Sequence, residues 1–79
     1  MQPRERHRVA MTRTAFLWAA DSVGFVPTTA TRNLTDEGWT DGINWAWVRF
    51  EFEEVMVSAY GQNDIGRLVE ALGLERIAA

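Results

Sequence analysis

Residues 43–53 carry the clearest hydrophobic pattern in the chain, because apolar side chains recur at every second position from Ala46 to Phe52 and alternate with a second set that includes Arg49, Glu51 and Glu53. A period of two predicts a half-buried β-strand with one face towards a core. The core-facing set should be Ala46, Val48, Phe50 and Phe52. The opposite face should then present Trp45, Trp47, Arg49, Glu51 and Glu53.

Two further segments predict strands before and after this one. Residues 25–33 are rich in β-branched side chains, and Pro27 near their beginning is typical of an edge strand. Residues 55–60, Val-Met-Val-Ser-Ala-Tyr, predict the strand that follows. Between the first two strands, residues 35–42 concentrate Thr, Asp and Gly, which favours a hairpin loop with Trp39 inside it.

A helix is predicted near the end of the chain. Asn63 or Asp64 can accept hydrogen bonds from the free N–H groups of its first turn. Gly73 can adopt the left-handed conformation that commonly ends a helix. Between them, apolar side chains recur at helical spacing, at Ile65, Leu68, Val69 and Leu72.

The segment 12–23 has a less decisive pattern. Phe16 and Val23 share one helical face with Ala19 or Ala20, which slightly favours a helix. A strand over residues 14–19 fits the same sequence almost as well.

Together these elements predict an α+β fold, in which a small antiparallel sheet of about three strands packs on a C-terminal helix. The N-terminal element is a helix or a strand. Residues 1–10 lack apolar periodicity and are interpreted as a flexible basic tail, followed by a single α+β domain over residues 11–79. The core between sheet and helix is predicted to contain Val48, Phe50, Phe52, Leu68, Val69 and Leu72.

The composition removes several kinds of chemistry. The 79 residues include no cysteine, which excludes disulfides and thiolate catalysis and fits a reducing cytoplasm. The chain has no lysine, so a phosphate-binding loop of the GxxxxGK[ST] type is excluded. The single histidine, His7, lies in the basic tail. We therefore expect no enzymatic activity, no metal and no cofactor, and the lack of a long apolar run predicts no membrane span.

Charge is distributed unevenly along the chain. Residues 1–13 hold four arginines and one glutamate, whereas residues 33–64 hold seven acidic residues and one arginine. An acidic surface that also bears tryptophans is typical of a docking site for a basic partner. The predicted partner-binding residues are Trp45, Trp47, Glu51 and Glu53, with Asp36, Glu37, Trp39 and Asp41 from the adjoining loop.

The leading hypothesis is a small acidic protein that binds another protein with a basic surface. A phage or mobile-element inhibitor of a nucleic-acid-binding complex, such as a CRISPR effector, would fit this description. One alternative is a nucleic-acid-binding module that uses the arginine tail and the tryptophans, although acids beside the tryptophans make nucleic acid the weaker partner. Another is a homodimer or assembly subunit with the tryptophan face as its interface. Whether Trp45 and Trp47 are exposed is left open by the sequence.

Overall fold

A computed structural model of the chain describes residues 2–73. Within this range the elements follow one another as β1 (Glu5–Val9), α1 (Arg13–Ser22), β2 (Val26–Arg32), β3 (Asp36–Thr40), β4 (Trp45–Glu51), β5 (Glu54–Ala59) and α2 (Gly66–Ala71).

The strands form one five-stranded sheet in the order β1-β5-β4-β3-β2, and all neighbours are antiparallel. Strands β2 to β5 are a meander, whereas β1 pairs with the last strand of the sequence. Helix α1 connects β1 at one edge of the sheet to β2 at the other edge. The two edge strands, β1 and β2, are therefore linked to each other by this single crossover connection.

The predicted sheet of about three strands on a C-terminal helix is wrong, because within residues 2–73 the sheet has five strands and two helices accompany it. One additional strand comes from the segment interpreted as a flexible basic tail. Its residues pair with β5 from Glu5 opposite Ala59 to Val9 opposite Val55. The sequence Glu-Arg-His-Arg-Val holds a single aliphatic side chain, so no hydrophobic alternation reveals this strand.

The other additional strand is β3, which lies inside the predicted hairpin loop of residues 35–42. The first three of its five residues, Asp36, Glu37 and Gly38, are of types that are depleted in strands. It is held between two neighbours, with Gly38 opposite Trp47 on β4 and Thr40 opposite Val26 on β2. Pairing on both sides outweighs the local preference for a loop.

Helix formation in the ambiguous segment 12–23 is confirmed. The Thr12 hydroxyl accepts a hydrogen bond from the backbone N–H of Ala15 at 3.1 Å, which caps α1. The C-terminal helix α2 is shorter than predicted and begins at Gly66. The Asp64 side chain accepts from the Gly66 N–H at 2.9 Å, and Gly73 has a positive φ of 79° after the helix.

The core lies between one face of the sheet and the two helices. Phe16 of α1 packs edge-on against Trp39 at 5.0 Å and against Phe50 at 5.4 Å between ring centroids. Of the six predicted core residues, Val48, Leu68, Val69 and Leu72 are buried, and Phe50 packs against the core. The prediction for Phe52 is wrong. Phe52 is 92% exposed, because β4 ends at Glu51 and residues 52–53 turn the chain into β5.

Candidate binding face

The two faces of the sheet have different surroundings. Residues of both helices pack into the same core cluster as Ala46, Val48, Val55 and Val57, so the helices cover the face to which these residues point. Because side chains alternate along a strand, Trp45, Trp47 and their cross-strand neighbours point to the opposite side. We call this opposite side the open face.

Two stacked tryptophans occupy the middle of the open face. The rings of Trp45 and Trp47 lie 5.8 Å apart at an interplanar angle of 21°, and both side chains are half-buried. They lean over Gly38 of β3, where a Cβ atom would lie 2.9 Å from Cζ3 of Trp45 and 3.0 Å from Cζ3 of Trp47. Glycine at this position therefore leaves room for both indoles on the sheet surface.

An arginine from the β2 edge joins this aromatic group. The guanidinium carbon of Arg32 lies 3.9 Å from the ring centroid of Tyr60 and 6.0 Å from that of Trp47. A cation held over aromatic rings at such distances is attracted by their electron-rich faces. Tyr60 itself is buried, so Arg32 is the accessible part of this contact.

Strand β1 adds a row of arginines at the other edge. Arg6 donates from Nε to the Ser58 hydroxyl at 3.1 Å, and Arg4 donates from Nη1 to the Gly61 carbonyl at 3.3 Å. Arg8 forms a salt bridge with Glu54 at 2.6 Å. Because Arg6 lies opposite Ser58, which in turn lies opposite Trp47, the arginine row shares the face of the tryptophans.

The acids on the open face are largely neutralised. Asp36 is buried, and its Oδ1 accepts from Arg49 Nε at 2.8 Å and from the Thr35 hydroxyl at 3.1 Å. Glu54 is paired with Arg8. Within residues 2–73, no carboxylate lies within salt-bridge distance of the remaining arginines of this face, Arg4, Arg6 and Arg32. The face is thus richer in arginine than in acid, contrary to the acidic face expected from β4 alone.

The predicted partner-binding residues divide between different parts of the molecule. Trp45, Trp47 and Glu51 lie on the open face, and Asp36 lies there too but is buried beneath Arg49. The others lie elsewhere, so the structure does not gather the predicted set into one surface.

Trp39 is the clearest correction within this set. It lies in β3 rather than in a loop, and it is buried in the core against Phe16 and Phe50. Glu37 shares the helix-covered side and forms a salt bridge with Arg13 at 3.2 Å. Neither residue belongs to the open face.

Two more of the predicted acids lie in turns. Glu53 is exposed in the β4–β5 turn and has a positive φ of 53°. Asp41 lies in the β3–β4 turn, where its Oδ1 accepts from the backbone N–H groups of Asn44 at 2.7 Å and Ile43 at 2.9 Å. These hydrogen bonds, above all that of Asn44, hold the pKa of Asp41 below its ordinary value. Asp41 therefore has a local structural role in its turn.

Sequence reasoning missed the arginines at positions 4, 6 and 8 as site residues. Their spacing of two was available as a signal, because on a strand it places all three on one face. The partner strand, however, is separated from them by most of the chain.

Other kinds of site find no support in the part of the chain that the structure describes. Among residues 2–73, no cluster of three or more His, Asp or Glu side chains could hold a metal ion. None of the helices in that range is long and apolar enough to cross a membrane. Comparison of the chain with protein families, with characterised proteins and with solved structures finds no match.

Proposed function

We propose that the protein binds a single-stranded nucleic acid across the open face of its sheet. The observation that carries the proposal is the antiparallel pairing of β1 with β5, which brings Arg4, Arg6 and Arg8 onto the face that bears Trp45 and Trp47. Arginine and tryptophan are here combined on one surface that neither helix covers.

Each side-chain type supplies one part of the interaction. Guanidinium groups neutralise phosphates and release counterions, which provides affinity independent of sequence. Indole rings stack on unpaired bases, and such stacking contributes about 1–3 kcal/mol per base. An uncovered sheet face with aromatic side chains suits bases that are already unstacked, so a single strand is the expected ligand.

The acidic residues near the tryptophans are only a weak argument against nucleic acid binding. Asp36 and Glu54 are each compensated by an arginine on the same face. Glu37 pairs with Arg13 on the helix-covered side. Glu51, at the end of β4, is the remaining acid of the open face within the described residues.

The proposal is tested by the binding of fluorescently labelled single-stranded DNA and RNA oligonucleotides, followed by anisotropy at several salt concentrations. We expect affinity to fall linearly with salt on logarithmic axes, with a slope of about −0.7 per phosphate contact. Replacing Arg4 and Arg6 by Gln should then flatten the slope by roughly 1.4. The matched control is Arg67→Gln, which changes an exposed arginine of α2, away from the open face.

A second pair of variants tests stacking. Trp45→Ala should weaken binding by about 1–3 kcal/mol. Trp18→Ala, on the exposed side of α1, should leave it unchanged. Absence of binding to either nucleic acid at low salt would overturn the proposal. Recovery of an acidic protein that competes for the same arginines would replace it with protein docking, since Trp, Tyr and Arg also dominate protein interfaces.

A further inference from the structure

We infer that the β4–β5 turn of one molecule docks on the open face of a second copy of the chain. The docking element is Glu51, Phe52 and Glu53, which we call the acidic tip. The receiving surface is the arginine and tryptophan cluster around Trp45 and Trp47. The contact uses the open face but does not depend on nucleic acid binding.

The acidic tip has features that folding does not explain. Phe52 is 92% exposed, so its ring buries almost no apolar surface within the molecule. Glu51 and Glu53 on either side are also exposed, and within residues 2–73 neither forms a salt bridge. Glu53 additionally adopts a positive φ of 53°, which is uncommon for a residue other than glycine. An aromatic ring between two uncompensated carboxylates fits a partner that offers aromatic surface and cations.

The open face offers both. Arg4 and Arg6 bond to neutral oxygens, the Gly61 carbonyl and the Ser58 hydroxyl, so each guanidinium remains available to a carboxylate. Arg4 and Arg6 are two residues apart in the sequence, and the two carboxylates of the tip are also two residues apart. Phe52 would lie against the half-buried indoles, where edge or offset aromatic contacts are favourable.

The geometry requires the contact to be between molecules. The acidic tip directly continues β4 and β5, so it cannot fold back onto the face of the same two strands. The acidic tip and the arginine and tryptophan cluster contain different residues, so each molecule can give one tip and receive another. Two molecules can exchange tips reciprocally in a two-fold dimer, whereas repetition of the contact without that closure builds rings or open chains.

The experiment is sedimentation velocity of the full chain from micromolar to millimolar concentration, at low and at high salt. We expect association that grows with concentration and weakens with salt. Phe52→Ser should abolish it, and Glu51→Gln with Glu53→Gln should weaken it strongly. The control is Ile43→Ser, which changes another largely exposed apolar residue, in the β3–β4 turn, and should associate like the parent.

A mixing experiment separates a contact between tip and face from a contact between two identical surfaces. A face variant with Arg4→Glu and Arg6→Glu, and a tip variant with Phe52→Ser, should each be monomeric alone. Mixed together they should form one-to-one heterodimers, because one still has a tip and the other still has a face. If the charge-reversed face variant fails to fold, the milder variant with Arg4→Gln and Arg6→Gln replaces it. Thermal melting followed by circular dichroism shows whether each variant is folded.

The inference is overturned if the parent stays monomeric at millimolar concentration, or if Phe52→Ser associates as the parent does. It is equally overturned if the parent associates but the two variants do not combine. Oligonucleotide binding is measured with dilute monomer, so these outcomes are independent of the proposed function. If the protein both binds nucleic acid and self-associates through the acidic tip, an oligonucleotide should dissociate the assemblies, since phosphates and carboxylates compete for the same arginines.

Discussion

The two faces of the sheet are made by alternate residues of the same strands, yet they bury their side chains in different ways. On the helix-covered face, Val48 and Val57 are fully enclosed by aliphatic and aromatic neighbours. On the open face, Met56 and Ser58 are also buried, but their neighbours on that face are arginine and tryptophan side chains. Burial on the first face supplies stability, whereas on the second it leaves cations and aromatic rings at the surface.

This difference separates residues that maintain the fold from residues that are available for binding. Trp39 and Trp47 illustrate it, because both are tryptophans on adjacent strands. Trp39 is enclosed in the core beside Phe16, while Trp47 lies half-buried beside Arg32. Substitutions on the two faces should therefore affect stability and binding in different proportions.

The largest expected effect is on the covered face. Phe16→Ala should lower the free energy of unfolding by about 3–5 kcal/mol, because a fully buried ring in contact with two other rings leaves a cavity. Trp18→Ala, two residues along the same helix and 76% exposed, should change it by less than about 0.5 kcal/mol. Urea denaturation measures both, and equal losses would contradict the assignment of the two helix sides.

A smaller effect is expected on the open face at Gly38. Gly38→Ala places a methyl group within about 3 Å of both indoles, so the tryptophans must shift, at a cost of about 1–3 kcal/mol. The indole resonances of Trp45 and Trp47 should move in an NMR spectrum, while that of Trp18 stays in place. An unchanged melting temperature together with unchanged indole resonances would show that the rings do not lie over β3.

Leu34 allows a substitution that should raise stability slightly. It is 95% exposed in the β2–β3 turn and has a φ of 62°, a conformation that costs a non-glycine residue about 1–2 kcal/mol. Leu34→Gly relieves this cost but adds about 0.5–1 kcal/mol of chain entropy, so a net gain of up to about 1.5 kcal/mol is expected. A lower melting temperature for Leu34→Gly would mean that the leucine side chain stabilises the fold.

The smallest effect concerns Asp41, outside both faces. Its pKa is lowered in the folded state, so the charged carboxylate stabilises the protein above the pKa of the unfolded chain. That contribution is lost as pH falls through the lower folded pKa. Because the side chain lies in a turn near solvent, the loss should be well under about 1 kcal/mol. Asp41→Asn should remove this part of the pH dependence, and an identical acid-unfolding profile would contradict it.

The sequence predicts those parts of the fold in which apolar residues recur with a clear period. Strand β4 and the buried side of α2 are of this kind, since Val48, Leu68 and Val69 occupy the core positions that their spacing predicts. Phe52 breaks the rule because the alternation continues one step past the end of the strand, into the turn. The turn, and not the alternation of side chains, decides which residues of a hairpin belong to the paired strands.

The missed parts depend on partners that are distant in sequence. Strands β1 and β3 contain few apolar side chains and are held by backbone pairing with neighbours. For the candidate site the consequence is direct. Trp45 and Trp47 could be predicted from β4, but the arginines beside them could not, because only the pairing of β1 with β5 places Arg4 and Arg6 there.

If nucleic acid binds the open face and not the helix-covered side, the four indole N–H resonances of the chain report this directly. Trp45 and Trp47 lie on the open face, Trp39 in the core and Trp18 on the outer side of α1. On titration with a single-stranded oligonucleotide, the resonances of Trp45 and Trp47 should shift while those of Trp18 and Trp39 stay fixed. A shift of the Trp18 resonance with the Trp45 and Trp47 resonances unmoved would contradict binding at the open face.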